Sequence, residues 1–166
     1  MGSDTYFSGS LTIVPPLNDD ETAYLIDFAA TRRCQRIEGP LALDGVTVDF
    51  NRPPAGQPGV WCHFEPDEDG TTIVWNESEK TYQGAEWIAF LVTRLLAPSA
   101  KEYLDAHRDE DPRLAEFTTD HVVNGSFTAQ GEEYLDLWGI TVEDNQVTKW
   151  QAGLTPENHK PVVLPK

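Results

Sequence analysis

Apolar and polar residues alternate along the first part of the chain, from Tyr6 to Val14. Phe7, Leu11 and Ile13 fall on one side of this segment, and serine and threonine residues fall on the other. Because successive side chains of a β-strand point to opposite faces of a sheet, this pattern predicts a half-buried strand.

A helix is expected directly afterwards, because Pro15 and Pro16 end the alternation. Asn18 and Glu21 have the spacing of a capping box, in which each side chain hydrogen-bonds the backbone N–H of the other residue. Apolar residues then recur at helical spacing, so we expect the helix to continue to about Arg33.

Two further strands are predicted at residues 60–65 and 71–77, which alternate on either side of the turn sequence DEDG. A second helix is predicted before Pro98, where apolar residues recur at spacings of three and four. The following segment, 99–117, is polar with a thin apolar stripe, and we expect a peripheral helical insert. Beyond Asp120, alternating segments separated by turns predict a meander of strands.

This order of strands and helices is typical of an α+β fold with a ferredoxin-like split β-α-β pattern, an extended antiparallel sheet and helices packed on one face. We expect one such domain over residues 1–153. Residues 34–59 are rich in glycine and proline and predict a long loop, which is one place where a partner could be held. Residues 154–166 lack periodicity and predict a loose tail.

The chain of 166 residues has 28 acidic and 12 basic side chains, giving a formal net charge of −16. Such a surface repels phosphate and anionic lipid, which argues against direct binding of nucleic acid or of a membrane surface. No apolar run approaches the roughly 20 residues that span a bilayer, and the N-terminus lacks signal-peptide features. We therefore expect a cytoplasmic protein with a basic protein partner.

The acidic residues gather in two stretches, 65–79 and 132–144, that contain no lysine or arginine. The candidate binding residues are Glu65, Asp67, Glu68, Asp69, Glu77, Glu79, Glu132, Glu133, Asp136, Glu143 and Asp144. A solvated surface, docking of a basic protein and acid–base catalysis remain open as interpretations. Catalysis is the least favoured, because water screens carboxylates at turns.

The run from Glu65 to Gly70 also resembles the start of an EF-hand loop, with oxygen-bearing side chains at alternate positions. Position twelve would be Asn76 instead of glutamate, so a hairpin turn is favoured. The four histidines lack metal-binding spacing, and nucleophile-elbow and phosphate-loop motifs are missing. The sequence thus predicts no catalytic residue, metal or cofactor, and we expect His121 at the surface or a sheet edge.

Cys34 and Cys62 are expected to be free thiols and small core residues, since they lie in unrelated segments. Trp87 and Trp138 fall on predicted core faces. Trp61 and Trp75 occupy hairpin positions that could face outward and form a protein-binding patch, although core packing of the tryptophans is favoured.

The segments KTYQGAEWIAFLVTRLLAP and VVNGSFTAQGEEYLDLWGITVEDNQV resemble a group of small uncharacterised proteins from bacteriophages and from actinobacterial or Gram-positive genomes. The matching positions are Tyr82, Glu86, Trp87, Asn124, Gly125, Gln130, Gly131, Glu132, Asp136, Trp138, Ile140, Val142, Asp144, Asn145 and Val147. The resemblance implies a ferredoxin-like fold and a phage or prophage origin. It implies no activity and no catalytic residue.

From these patterns we expect a non-enzymatic phage or prophage accessory protein whose acidic surface binds a basic host protein, as a nucleic-acid mimic or counter-defence inhibitor. A structural, self-assembling phage component is an alternative, because antiparallel edges invite pairing. A small-ligand-binding or hydrolytic domain is another, using the cleft beside residues 35–59 with His63 or His121 as base. The oligomeric state is left open by the sequence.

Overall fold

The computed structural model describes residues 4–78, 80–131, 137–151 and 159–165. Its strands are β1 (Tyr6–Val14), β2 (Gln35–Arg36), β3 (Thr47–Asp49), β4 (Phe64–Pro66), β5 (Thr72–Trp75), β6 (Val122–Gln130), β7 (Leu137–Glu143), β8 (Gln146–Gln151) and β9 (His159–Pro161). Seven of these strands form one antiparallel sheet in the order β4-β5-β1-β6-β7-β8-β9. Strands β2 and β3 pair separately within the 34–59 loop.

Three α-helices accompany the sheet in the described part of the chain: α1 (Asp19–Ala30), α2 (Gly84–Phe90) and α3 (Lys101–Asp105). Helix α2 continues as a π-helical segment, Leu91–Leu96. No helix in the described ranges is long and apolar enough to cross a membrane. The predicted α+β class is confirmed, because helices and an antiparallel sheet share one apolar core.

Strand β1 lies inside the sheet and pairs with β6 along its whole length. The predicted alternation is confirmed, because Phe7, Leu11 and Ile13 are buried while the serines between them are exposed. Gly125 of β6 has a φ of +139°, and a Cβ there would lie 2.5 Å from the carbonyl oxygen of Ser10. Glycine is therefore required for the two strands to approach each other this closely.

The capping box predicted at the start of α1 is confirmed. The Asn18 side chain accepts a hydrogen bond from the Glu21 backbone N–H at 2.8 Å, and the Glu21 carboxylate accepts one from the Asn18 N–H at 2.9 Å. The helix ends at Ala30, before the predicted end at about Arg33. The reason is that the Arg33 N–H donates to the carbonyl of Val60 at 2.7 Å instead of continuing the helix.

The segment 99–117 is helical as predicted, but it is not peripheral. Leu104, Leu114 and Phe117 are buried in the same core as the sheet. An ion pair of 2.7 Å between Arg113 and Asp27 holds the segment against α1. A thin apolar stripe is enough here, because three of its large members are buried and Tyr103 packs against the same core.

Part of the predicted loose tail joins the sheet as β9. Thr148 of β8 lies opposite Pro161, and Val162 and Leu164 pack against the core. Proline is tolerated because β9 is an edge strand. Residues 154–158 of the predicted tail lie outside the described residues.

Candidate functional site

A cavity of about 810 Å³ opens between the 34–59 loop, the segment after β5 and helix α2. Its described lining includes residues 58–61, His63, Asn76, Tyr82 and Trp87. Small-molecule sites typically have volumes of roughly 300–1,000 Å³. The cavity is therefore large enough to enclose most of such a molecule.

Arg33 holds the part of the cavity wall that is formed by the loop. Its side chain is fully buried and does not line the cavity. Its backbone N–H binds the carbonyl of Val60, and its Nη2 donates to the carbonyl of Ala42 at 3.0 Å. The guanidinium lies 4.6 Å from the centre of the Phe28 ring. A cation–π contact of this kind is favourable when desolvated. Arg33 thus ties two parts of the loop to α1 and positions Val60 in the cavity wall.

The wall formed by the chain after β5 is held in a strained backbone conformation. Glu77 and Gln83 have φ values of 66° and 56°, in the left-handed region that disfavours residues with a side chain. The Thr81 hydroxyl donates to the carbonyl of Ser78 and accepts from Trp75 Nε1 at 2.8 Å, which stabilises this conformation. Such strain is concentrated at functional sites, where the surrounding structure maintains it.

His63 lies in the cavity wall just before β4. The amide nitrogen of Asn76 lies 3.4 Å from His63 Nδ1. An amide nitrogen can only donate, so Nδ1 accepts and Nε2 carries the proton. Burial lowers the pKa of His63, because desolvation disfavours the charged imidazolium. His63 therefore presents a neutral ring to the cavity at neutral pH.

Trp87 belongs to both the core and the cavity wall. Its side chain is 0% exposed and contacts the rings of Phe28 and Phe90 edge-on. Its Nε1 has no hydrogen-bond partner among the described residues. Buried indole N–H groups usually find an acceptor, and an unpaired one costs about 1–3 kcal/mol.

The described lining of the cavity contains no carboxylate. Its charged member is Lys80, whose Nζ lies 2.6 Å from Oδ1 of Asp4. In a chain with 28 acidic residues, the described lining of the cavity is thus free of carboxylates.

The expectation that His121 lies at the surface or a sheet edge is wrong, because 1% of its side chain is exposed. Its Nε2 lies 2.8 Å from Oε2 of Glu21, and its Nδ1 lies 2.7 Å from the carbonyl oxygen of Pro15. Burial acts to lower the pKa of His121, but the hydrogen bond and charge of Glu21 outweigh it and raise the pKa. Both ring nitrogens are therefore engaged, and His121 has no free nitrogen to act as a base.

The EF-hand-like run folds as the favoured hairpin turn. The Asp67 carboxylate accepts hydrogen bonds of 2.9–3.3 Å from the backbone and hydroxyl groups of Thr71 and Thr72. Burial acts to raise its pKa, but these hydrogen bonds outweigh it and lower the pKa of Asp67. The Asp67 carboxylate therefore stabilises the hairpin turn in which it lies.

The first acidic cluster is divided between the two ends of the sheet. Residues 67–69 form the β4–β5 turn, Glu65 lies within β4, and Glu77 follows β5 at the opposite end. Glu143 and Asp144 form the β7–β8 turn, at the same end as the β4–β5 turn. The remaining candidates, Glu79, Glu132, Glu133 and Asp136, lie outside the described residues.

We call the end of the sheet that carries these two turns the His121 end. The backbone N–H of Leu17 donates to the carbonyl of Gly70, which places the β4–β5 turn beside the start of α1. The side chain of Asn145, in the β7–β8 turn, donates to the carbonyl of His121 at 3.0 Å. Exposed carboxylates at this end include Asp19, Asp20, Glu68, Asp69, Asp120, Glu143 and Asp144.

Cys34 and Cys62 are both buried and free, as predicted. Burial raises the pKa of Cys62 to about 12. Both thiols are core residues.

The tryptophan prediction is correct in part. Trp87 is in the core, and Trp138 packs with its ring centre 5.5 Å from that of Phe7. Trp61 is 39% exposed. The outward position considered for Trp75 is wrong, because its ring also packs against Phe7.

Sequence reasoning pointed to the cleft beside the loop and to His63, but it missed Tyr82, Gln83 and the cavity side of Trp87. Trp87 falls on the apolar stripe of a helix, so its pattern indicates core and nothing more. The available signal was the start of this helix, where Gln83 provides no side-chain cap. Glutamine is not among the residues preferred at a helix N-cap, so this position could have marked the segment.

Comparison of the chain with protein-family models, with curated proteins and with solved structures gives no match. The resemblance to small phage and actinobacterial proteins therefore stays a prediction.

Proposed function

We propose that this protein binds a small, largely apolar molecule in the cavity beside the 34–59 loop. The observation that carries the proposal is the cavity itself, about 810 Å³ in volume and walled by Trp61, Tyr82 and Trp87. Apolar walls with a few placed polar groups are typical of small-molecule sites. His63 and Asn76 supply such groups here.

Binding is favoured over hydrolysis by the contacts of His63. Among the described residues, no serine, threonine or cysteine side chain hydrogen-bonds His63, so an activated nucleophile is not assembled. His121, the other base considered, is buried against Glu21 at the far end of the sheet. The geometry thus supports a ligand site without covalent catalysis.

The test is titration with Nile red, a neutral aromatic dye whose fluorescence rises in apolar surroundings. Wild-type protein is expected to bind it, and Trp61→Ala and Tyr82→Ala are each expected to weaken binding about fivefold, since a lost aromatic contact is worth about 1 kcal/mol. The matched control is Tyr6→Ala, because Tyr6 is 52% exposed, Tyr82 is 54% exposed and Tyr6 does not line the cavity. No dye binding, or an equal loss in all three variants, would contradict the proposal.

We also propose that the first strands form a split β-α-β arrangement of the ferredoxin-like kind. The support is that α1 leads from β1 towards β4, β5 lies between β1 and β4, and β6 flanks β1 on the other side. A structure determined by NMR or crystallography that separates β4 from β5, or β1 from β6, would contradict it.

A second candidate function is docking of a basic protein, of host origin if the chain is phage-encoded, on the His121 end. It is favoured by the way the fold gathers both hairpin turns and the start of α1 at one end. Retention of lysate proteins at low salt should fall in the variant Glu68→Gln, Asp69→Asn, Glu143→Gln, Asp144→Asn. The matched control is Asp44→Asn, Glu77→Gln, Glu102→Gln, Asp109→Asn, which removes the same number of exposed carboxylates elsewhere, and equal retention by both variants would rule the candidate out.

A further inference from the structure

The residues that line the cavity indicate which class of molecule it binds. This inference about the ligand rests on the ligand site proposed above. Trp87 Nε1 is a fully buried donor without an acceptor among the described residues, in a side chain that lines the cavity. The indole N–H can donate a hydrogen bond but cannot accept one. Its partner must therefore be an oxygen or nitrogen atom with a lone pair. A bound molecule that brings such an atom gains the hydrogen bond and removes the cost of the unpaired N–H.

Gly59 lies beside this nitrogen. A Cβ built on Gly59 would lie 3.7 Å from Trp87 Nε1 and 3.1 Å from Oε1 of Gln83, and all three residues line the cavity. Any side chain at position 59 would therefore stand next to the indole nitrogen. Because residue 59 is glycine, its side chain does not occupy the space beside the indole nitrogen.

The charges of the cavity argue for a neutral ligand. The described lining contains no carboxylate, so these residues offer a cationic molecule no counter-ion. An anionic molecule would meet Lys80, which already pairs with Asp4 at 2.6 Å, and His63, whose ring is neutral at neutral pH. Burying an unpaired charge is costly, so both ionic classes are disfavoured.

The walls favour a flat ring system. Trp61 and Tyr82 present exposed aromatic side chains, and Pro53, Pro58 and Val60 complete an apolar surface. Aromatic rings pack favourably in stacked or edge-on arrangements. We infer that the ligand is a neutral, planar aromatic or heteroaromatic molecule with a carbonyl oxygen or ring nitrogen that accepts a hydrogen bond from Trp87 Nε1.

The test compares four probes on one scaffold: 2-acetylnaphthalene, its alkene analogue 2-isopropenylnaphthalene, 2-naphthoate and 2-naphthamidinium. The ketone and the alkene have nearly the same shape, but only the ketone accepts a strong hydrogen bond. We expect the ketone to bind about tenfold more tightly than the alkene, and more tightly than either ion. The indole ¹H–¹⁵N signal of Trp87 should shift with the ketone and not with the alkene.

Two variants test the role of the indole nitrogen. Trp87→Phe removes the donor but keeps an aromatic ring, and Gly59→Ala places a methyl group beside the donor. Both should reduce the ketone-to-alkene preference to about onefold, while Trp138→Phe should leave it unchanged. If Trp87→Phe fails to fold, Gly59→Ala and the wild-type preference still decide the question.

The possible failures are distinguishable. Equal binding of ketone and alkene would overturn the inference about the acceptor, while leaving the ligand site in place. Tighter binding of naphthoate or naphthamidinium would overturn the neutral class. If no naphthalene probe binds and Nile red is also not bound, the proposed function itself fails.

Discussion

His63 and His121 lie at opposite ends of the same sheet, and their surroundings differ in the number of partners they offer. Both ring nitrogens of His121 contact oxygen atoms, at 2.7 and 2.8 Å, and its side chain is almost fully buried. His63 is half-buried, has one contact of 3.4 Å to Asn76 and faces a cavity. The same residue type therefore stabilises the fold at one end and remains available to a ligand at the other.

This comparison separates two kinds of polar group. A buried group whose partners are complete contributes to stability and specificity, and it leaves little for a ligand to gain. A buried group with a missing partner, such as Trp87 Nε1, lowers stability but is a place where binding gains a hydrogen bond. The unpaired donor of Trp87 lies in the cavity wall, close to Gln83 at the start of the same helix.

The largest effect is expected from breaking the buried pair at the His121 end. His121→Ala leaves the Glu21 carboxylate buried without its cation, which typically costs about 3–5 kcal/mol of unfolding free energy. Urea denaturation followed by circular dichroism measures this loss. His63→Ala is the matched control and should cost less than about 1 kcal/mol. Similar losses in the two variants would contradict the contrast between the ends.

The pH dependence of stability should sharpen the contrast. The pKa of His121 is raised in the folded state by Glu21, with Asp120 at 3.8 Å adding a second negative charge. The pair therefore stabilises fully below the unfolded pKa of about 6.5 and loses its contribution as the pH rises through the folded pKa. Urea denaturation from pH 6 to about 9 should show this decline.

The double variant Glu21→Gln/His121→Gln isolates this effect. Wild type and double variant both contain Cys62, whose raised pKa of about 12 also disfavours folding at high pH. The contribution of Cys62 therefore cancels when the two proteins are compared. The difference in stability between wild type and double variant should shrink as the pH rises. A difference that stays constant would show that His121 is not protonated in the folded protein.

A smaller loss is expected from Asp67→Ala in the β4–β5 turn. The variant removes the acceptor of four hydrogen bonds from Thr71 and Thr72, and we expect a loss of about 1–2 kcal/mol in unfolding free energy. The control Asp69→Ala, at an exposed position of the same turn, should stay within about 0.5 kcal/mol. Equal losses of unfolding free energy in the two variants would mean that the Asp67 carboxylate stabilises the turn no more than that of Asp69.

The smallest change in stability is expected at the cavity. Burial lowers the pKa of His63, so its contribution is present above a pH of about 6.5 and is lost as the pH falls through the folded pKa. Because His63 is half-exposed, the effect on stability is slight, but Nile red binding should weaken as the ring gains charge. His63→Asn should bind the dye equally at pH 7 and pH 5; a decline as steep as in wild type would assign the effect to another group.

Local patterns predicted much of the fold. The alternation of β1, the capping box of α1, the second helix and the two hairpins all follow from contacts between residues close in sequence. The ends of elements were less accurate, because they depend on distant partners. Helix α1 stops at Ala30 since Arg33 binds Val60, a residue far along the chain.

The sequence by itself determined the α+β class, the negative charge, the Asp67 turn and the core positions of Cys34, Cys62 and Trp87. Only the tertiary structure decided which polar atoms are paired, because the partners come from different elements. Glu21 and His121 are about a hundred positions apart, yet folding places them 2.8 Å from each other. Trp87 reads as an ordinary core residue until the loop at Gly59 and the segment after β5 enclose a cavity beside its indole nitrogen.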